Sequence, residues 1–271
     1  MAQDRFGLSE RRACGIVGQP RSTQRRAAPA PGDGPLRARL HQIARRHQRF
    51  GYRRAHAVLV REGWVLNRKK VLRIWREEGL KVHPRHHKRR RPAAAEPVRR
   101  AERPNHVWAI DFQFDATSDG RMLKLANIVD EFTREALSTR TGRTCTADDL
   151  VKVLETLVTE REVPGHLRCD NGPELIAFTL RDWCRSEGTT TSYIEPGSPW
   201  ENAYVESFNA RIRDELLAIT EFCTMTEAQV LIEDWRIEYN TERPHSSLGY
   251  LTPVEFNRAW TQRHQPEPAL S

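Results

Sequence analysis

From Leu36 the apolar residues Leu36, Leu40, Ile43, Ala44 and Phe50 recur at helical spacing, and Gly51 closes the segment. A second short helix fits Arg53 to Glu62, with a turn at Gly63. Asn67 is a good N-cap for a third, which turns Val71, Leu72 and Trp75 inward and stops at Gly79. Together these make a small all-α, helix-turn-helix-like module over residues 36–82. Residues 1–35 are poor in large apolar groups and rich in breakers, as in APAPGDGP, so they predict a disordered basic lead-in. Residues 83–104, with HHKRRRP and AAAEP, are too polar and too broken by proline to pack and read as a basic linker.

Past residue 105 the pattern changes to strands alternating with helices. Val107 to Asp115 alternates, placing Trp108, Ile110, Phe112 and Phe114 on one face and Asp111 on the other. Asp119-Gly120 supplies a tight turn, and Leu123–Val129 and Glu135–Thr139 continue an antiparallel meander. A helix over Ala147–Glu160, a strand His166–Cys169, a helix Glu174–Glu187, a strand Thr190–Ile194 and a long helix Glu201–Ala218 follow. This order predicts an α/β fold: a mixed five-stranded sheet flanked by helices, filling a core at 105–262 with a short tail at 263–271.

Charge sharpens the division. Residues 1–104 hold 28 Lys+Arg against 8 Asp+Glu, and 105–271 hold 16 against 28. A basic arm on an acidic body points to a nucleic-acid backbone as partner, or else to a solvated basic tail. The third helix carries Arg68, Lys69, Lys70, Arg73 and Arg76, which either enter a major groove, lie along phosphates or form an ordinary charged face. No apolar run reaches the roughly 18 residues of a membrane span, and no signal-peptide pattern is present, so a cytoplasmic, nucleoid-associated protein is expected. The five cysteines never form a C-x-x-C pair, which argues against a disulfide framework or a structural zinc site.

Three acids sit where a cleft can use them: Asp111 in mid-strand, Asp170 just past a strand end, and Glu206 on a helix that begins after a proline-glycine loop. An aspartate within VWAIDFQF is costly to bury unless a cation or partner compensates it, and converging carboxylates form the hard-oxygen site that Mg²⁺ prefers. Two such ions would clamp the attacking and leaving oxygens of an in-line phosphoryl displacement. The same residues also fit a solvent-facing strand position, a plain Asp-Asn-Gly turn and an exposed helix charge.

The strings CDNGPEL, SPWENAYVESFNARIRDEL and YNTERPHSSLGYLTPVEF, with Asp170 and Glu206 35 residues apart, closely resemble the DDE transposases encoded by the second reading frame of bacterial insertion sequences, relatives of retroviral integrases. WAIDFQFD and NIVDEFTREAL resemble the family's first catalytic strand and hairpin, and FGYRRAHAVLVREGWVLNRKKVLRIWREEGL its upstream helix-turn-helix. The resemblance covers about residues 36–257. It implies a ribonuclease H-like core, a divalent metal (Mg²⁺ or Mn²⁺, as two ions) and a reaction in which water and then a freed 3′-hydroxyl attack phosphodiesters. It also implies double-stranded DNA as partner, with a homo-oligomer on DNA and an upstream-frame DNA-binding protein as further partners. Carried over position by position, Asp111, Asp170 and Glu206 match the metal-binding carboxylates. Asn171, Gly172 and Glu174 match the turn after the second aspartate, and Asn202 and Tyr204 the motif before the glutamate. Glu195–Pro199 would be an active-site loop. Arg243, Pro244 and His245 match a late basic motif that either contacts DNA or packs a helix end. Cys169 and Leu175 replace the family's usual serine and phenylalanine. A DNA-binding regulator without cleavage, or a structure-specific nuclease, would share much of this pattern.

Overall fold

The computed structural model describes residues 9–16, 18, 32–80, 100–170, 172–193 and 202–264. Three helices, α2 (Gly34–Arg46), α3 (Tyr52–Arg61) and α4 (Arg68–Glu77), close around their own core of Leu40, Leu59, Ile74 and Trp75. Asn67 caps α4 as expected, its side chain accepting from the Lys69 amide at 2.8 Å. An unexpected first helix, α1 (Glu10–Ile16), lies inside the supposed unstructured lead-in, with Ala13 and Cys14 buried. Ser9 precedes a run of helix formers there, and its carbonyl accepts the first amide bonds, from Arg12 and Ala13.

The second unit is a five-stranded mixed sheet of order β3-β2-β1-β4-β5, the ribonuclease H-like arrangement expected from the sequence. The strands β1 (Val107–Ala116), β2 (Met122–Asp130) and β3 (Ala136–Gly142) form the antiparallel meander. The strands β4 (His166–Cys169) and β5 (Thr190–Tyr193) join parallel to β1 and to each other. One face packs Trp108, Ile110 and Ile128 against α5 (Ala147–Glu160) and α6 (Phe178–Ser186). The other packs Ala109, Leu125 and Val129 against α7 (Ala203–Ile212) and α8 (Met225–Thr241). The period-2 alternation of β1 therefore sorts its residues between two helical layers, and Asp111 falls on the α7 side.

Three local expectations are revised. Phe114 is exposed, because burial along β1 fades past Gln113, where the strand outruns its covering helices. The helix expected from Glu174 begins only at Phe178; the Leu175 and Ile176 amides bond back to the Gly172 carbonyl and make a turn instead. The long last helix ends at Ile212 and widens into a π turn, Arg213–Leu217, in which the Ala218 amide reaches five residues back to Arg213. A short 3-10 turn (Ser246–Leu248) and α9 (Pro253–His264) complete the described chain. Helix α5 is held at its start by a capping box between Thr146 and Asp149. Thr146→Ala is expected to cost about 1 kcal/mol in urea unfolding.

The helical module docks on the end of α8 and the π turn by charge. Arg46 reaches Glu242 at 2.8 Å, His47 reaches Glu238 at 3.1 Å, and Arg54 reaches Glu215 at 3.3 Å. Arg61 donates to the Glu242 carbonyl at 2.9 Å. The Arg46 pair is exposed and individually weak, whereas Arg54 and Glu215 are largely buried where they meet, so the contact depends on several pairs acting together.

Candidate active site

Asp111 stands half-buried on β1, paired in register with Asn127 of β2. Its two oxygens have separate partners: Oδ1 accepts from the Phe112 amide at 2.8 Å and Oδ2 from Asn209 Nδ2 at 2.7 Å. Asn209 lies three residues past Glu206, on the same flank of α7. Its side-chain Oδ1 accepts from Asn127 Nδ2 at 2.7 Å, and Asn127 Nδ2 also donates to Gln113 Oε1 at 3.2 Å. Gln113 closes the network on the Asn209 backbone carbonyl, also at 3.2 Å. Asn127 and Gln113 are buried, so this network fixes the Asp111 carboxylate rigidly to α7.

Burial, and then the charge of Asp170, push Asp111 up to about 6; the charge of Glu206 adds to the shift, while the Phe112 amide and Asn209 oppose it. Glu206 is itself raised by burial. The fold thus brings all three acids into electrostatic reach, and none makes an ion pair with Lys or Arg among the described residues. Among those residues no group of three or more His, Cys, Asp or Glu is placed to hold a metal ion, so Asp170 and Glu206 reach Asp111 by their charge and not as a formed ligand set.

Asp170 follows β4, and its Oδ1 accepts from the Gly172 amide at 3.0 Å. A Cβ at position 172 would lie 3.0 Å from that oxygen, which explains the glycine. Glu174 pairs with Lys124, whose ammonium rests 4.1 Å from the Phe112 ring centroid, so the turn after Asp170 is tied to β2. That hydrogen bond holds the Glu174 carboxyl below its ordinary range. Cys169 and Leu175, the two departures from the family pattern, are fully buried core positions. Burial pushes the Cys169 thiol up to about 12.

Other expected site residues are placed elsewhere. Asn202 is buried at the start of α7, and its Oδ1 has no hydrogen-bond partner among the described residues. Tyr204 points to the opposite flank of α7, where Arg134 stacks on its ring at 3.6 Å. Arg243 is buried and donates twice to Glu215, each bond 2.7 Å, while His245 is buried with Nε2 3.3 Å from the Tyr239 carbonyl. Both pack the end of α8 and offer no open surface to a duplex. On α4, Lys70 and Arg73 pair with Asp33, whereas Arg68, Lys69 and Arg76 are exposed without an ion pair among the described residues. Asn171 and the Glu195–Pro199 segment lie outside the described residues. The network residues Asn127, Gln113 and Asn209 had a faint sequence signal: amides in a buried strand run and in a helix interior are poor local choices unless a partner needs them.

The two units have known counterparts. Residues 33–89 match the HTH-like domain family, and 101–199 and 187–253 match integrase core domain families. The 31.7 kDa protein of insertion element IS407 of Burkholderia multivorans is 40% identical over 255 residues, covering 94% of this chain and 92% of that protein. The 39.2 kDa protein of insertion element IS476 of Xanthomonas euvesicatoria is 39% identical, covering 92% and 72%. The transposase for insertion sequence element IS904 of Lactococcus lactis is 28% identical, covering 82% and 93%. The chain belongs to the insertion-sequence transposases with an integrase core. Among the described residues no helix is long and apolar enough to cross a membrane.

Proposed function

We propose that this transposase cuts DNA strands at the ends of its element and joins them to target DNA through Asp111, Asp170 and Glu206. In the first step water attacks a phosphodiester, leaving a 3′-hydroxyl and a 5′-phosphate. In the second that 3′-hydroxyl attacks a target phosphodiester and displaces a target 3′-oxygen. The observation that carries the reading is an aspartate half-buried in a strand, raised by the charges of two more carboxylates and unpaired with any described cation. Such a donor set fits Mg²⁺ or Mn²⁺, held by all three carboxylates as one or two ions. A divalent ion there would polarise the phosphate and lower the pKa of water. The chain's own contribution is placement. Asn209 and the Phe112 amide orient the Asp111 oxygens, the Gly172 amide orients Asp170, and Lys124 anchors the following turn through Glu174.

We assign DNA recognition to residues 36–82, including the exposed Arg68, Lys69 and Arg76, and chemistry to residues 105–262, acting as an oligomer that brings two ends together. An upstream-frame protein would supply further recognition of the ends. A labelled element-end duplex incubated with Mn²⁺ should yield nicked and joined products with the wild type and neither with Glu206→Gln. Joined products from the variant would overturn the assignment. Asn209→Ala should lower strand transfer by about 10- to 100-fold, the usual cost of losing a partner that orients a metal-binding carboxylate. An unchanged single-turnover rate would show that the network is structural only.

A further inference from the structure

A cavity of about 380 Å³ lies between α3, the β2–β3 turn, the outer flank of α7 and the 3-10 turn. Four arginines line it: Arg54, Arg134, Arg211 and Arg243. Two carboxylates act on them, and both are already engaged: Glu215 by Arg243 through two hydrogen bonds and by Arg54 at 3.3 Å, and Glu131, which feels the charge of Arg134, by Arg168 Nη1 at 2.6 and 2.7 Å. Glu238, behind Arg243, is engaged by His47 and Arg46. Arg211 makes no ion pair or hydrogen bond among the described residues although it is half-buried. Arg134 is held in the left-handed region at φ 64°, which a non-glycine residue adopts at a cost. Its guanidinium lies flat on Tyr204, and its buried Nη1 has no hydrogen-bond partner. A buried, unsatisfied guanidinium nitrogen is expensive unless an acceptor arrives. Burial first, and then the charge of Arg243, lowers Arg54 to about 10 and His245 to about 3. Ser207, on the same wall, adds a hydroxyl donor.

We propose that this cavity binds a backbone phosphate of the DNA, with Arg134 and Arg211 as its ligands and Arg54 contributed by the helical module. Arg243, sequestered by Glu215, frames the cavity and does not grip the phosphate. The assignment rests on the DNA-joining reading above, because it places the phosphate relative to the carboxylates. Tyr204 and Arg211 occupy one flank of α7 and Glu206 and Asn209 the other, so the cavity and the carboxylates are separated by roughly a helix diameter of about 10 Å. A strand crossing α7 would put one phosphate among the carboxylates and another in the cavity. Arg54 makes the cavity complete only when the module is docked on the core, so the phosphate would also lock the two units together.

The test is duplex DNA binding by the full chain, measured by fluorescence anisotropy across a salt series, with inorganic phosphate tested separately as a thermal stabiliser. Arg211→Gln should weaken duplex binding about tenfold and reduce the salt slope by about one phosphate contact. Arg134→Gln should do the same, and the effects of the two should be sub-additive because they share one phosphate. Arg211 makes no described ion pair or hydrogen bond and acts on Glu215 only through its charge, beside the repulsion from Arg54 and Arg243, so its variant should stay close to the wild-type melting temperature; a matched loss from Lys152→Gln, a surface change away from the cavity, would overturn the assignment. Wild-type affinity and slope in both arginine variants would also overturn it. So would stabilisation by inorganic phosphate that Arg211→Gln abolishes while duplex binding is unchanged, since the cavity would then serve a free phosphate. Binding is read without cleavage, so a wild type that fails to nick or join would defeat the proposed function and leave this measurement standing.

Discussion

Asp111→Asn is expected to lower both strand cleavage and strand transfer by at least about 10³-fold while duplex affinity stays within about twofold of wild type. The magnitude follows from what is removed. A carboxylate that helps hold a divalent ion contributes several kcal/mol to stabilising charge in phosphoryl displacement, and about 4 kcal/mol corresponds to three orders of magnitude. Asparagine nearly preserves the shape and can still accept from the Phe112 amide, so the buried surroundings of residue 111 are kept. Affinity should survive because the proposed DNA contacts are cations, including the exposed Arg68, Lys69 and Arg76 of the helical module, and not the carboxylates. The measurement is single-turnover cleavage and joining of a pre-cut and an uncut element end, with anisotropy on the same duplexes. Joining retained by Asp111→Asn would remove this residue from the chemistry. Loss of binding in parallel with activity would mean that the substitution had damaged the fold instead.

Much of this arrangement is legible in the sequence alone, and the reasons differ by element. The helix over Ala147–Glu160 and the strand His166–Cys169 appear with the expected bounds, since strong periodicity and clear flanking turns fix both. The three acids stand out in the sequence because a charge in an apolar strand and motif strings of this specificity are rare, and Asp170 and Glu206 lie within electrostatic reach of Asp111. What remained hidden depends on pairs distant in the chain. The Asn127–Asn209–Asp111 network spans β1, β2 and α7, and no spacing within one segment reveals that 82 residues separate its two asparagines. Arg243 shows the converse. Its motif leaves DNA contact and helix-end packing both open, and Glu215, 28 residues earlier in a π turn that helical periodicity does not predict, takes that guanidinium inward. Tyr204 is adjacent in sequence to the glutamate's motif, but 3.6 residues per turn carry it to the other flank of the helix.

In metal-free protein Asp111→Asn should be stabilising, and the gain should depend on pH in one direction. The folded protein raises the Asp111 carboxyl from 3.8 to about 6, chiefly by burial and by the charge of Asp170. Between those values the native state keeps a proton that the unfolded chain has lost, so native stability falls as pH rises from about 4 to about 6 and levels off above. The ionised carboxylate then costs up to about 3 kcal/mol at neutral pH. Asparagine escapes that cost but disturbs the bond from Asn209 Nδ2, an offset of about 1 kcal/mol. A net gain of about 1–3 kcal/mol at pH 7.5 is therefore expected, a rise of several degrees in melting temperature, shrinking to nothing or reversing at pH 4. Adding Mn²⁺ should invert the order at neutral pH, since an ion that binds the native carboxylates stabilises the wild type and gives the variant little. Thermal melts of both proteins in chelator and in Mn²⁺, across pH 4 to 8, supply every comparison. A variant less stable than wild type at pH 7.5 in chelator would mean that protein groups already satisfy the Asp111 charge, and the strand aspartate would then lose the electrostatic demand for a cation on which its metal-binding role is argued.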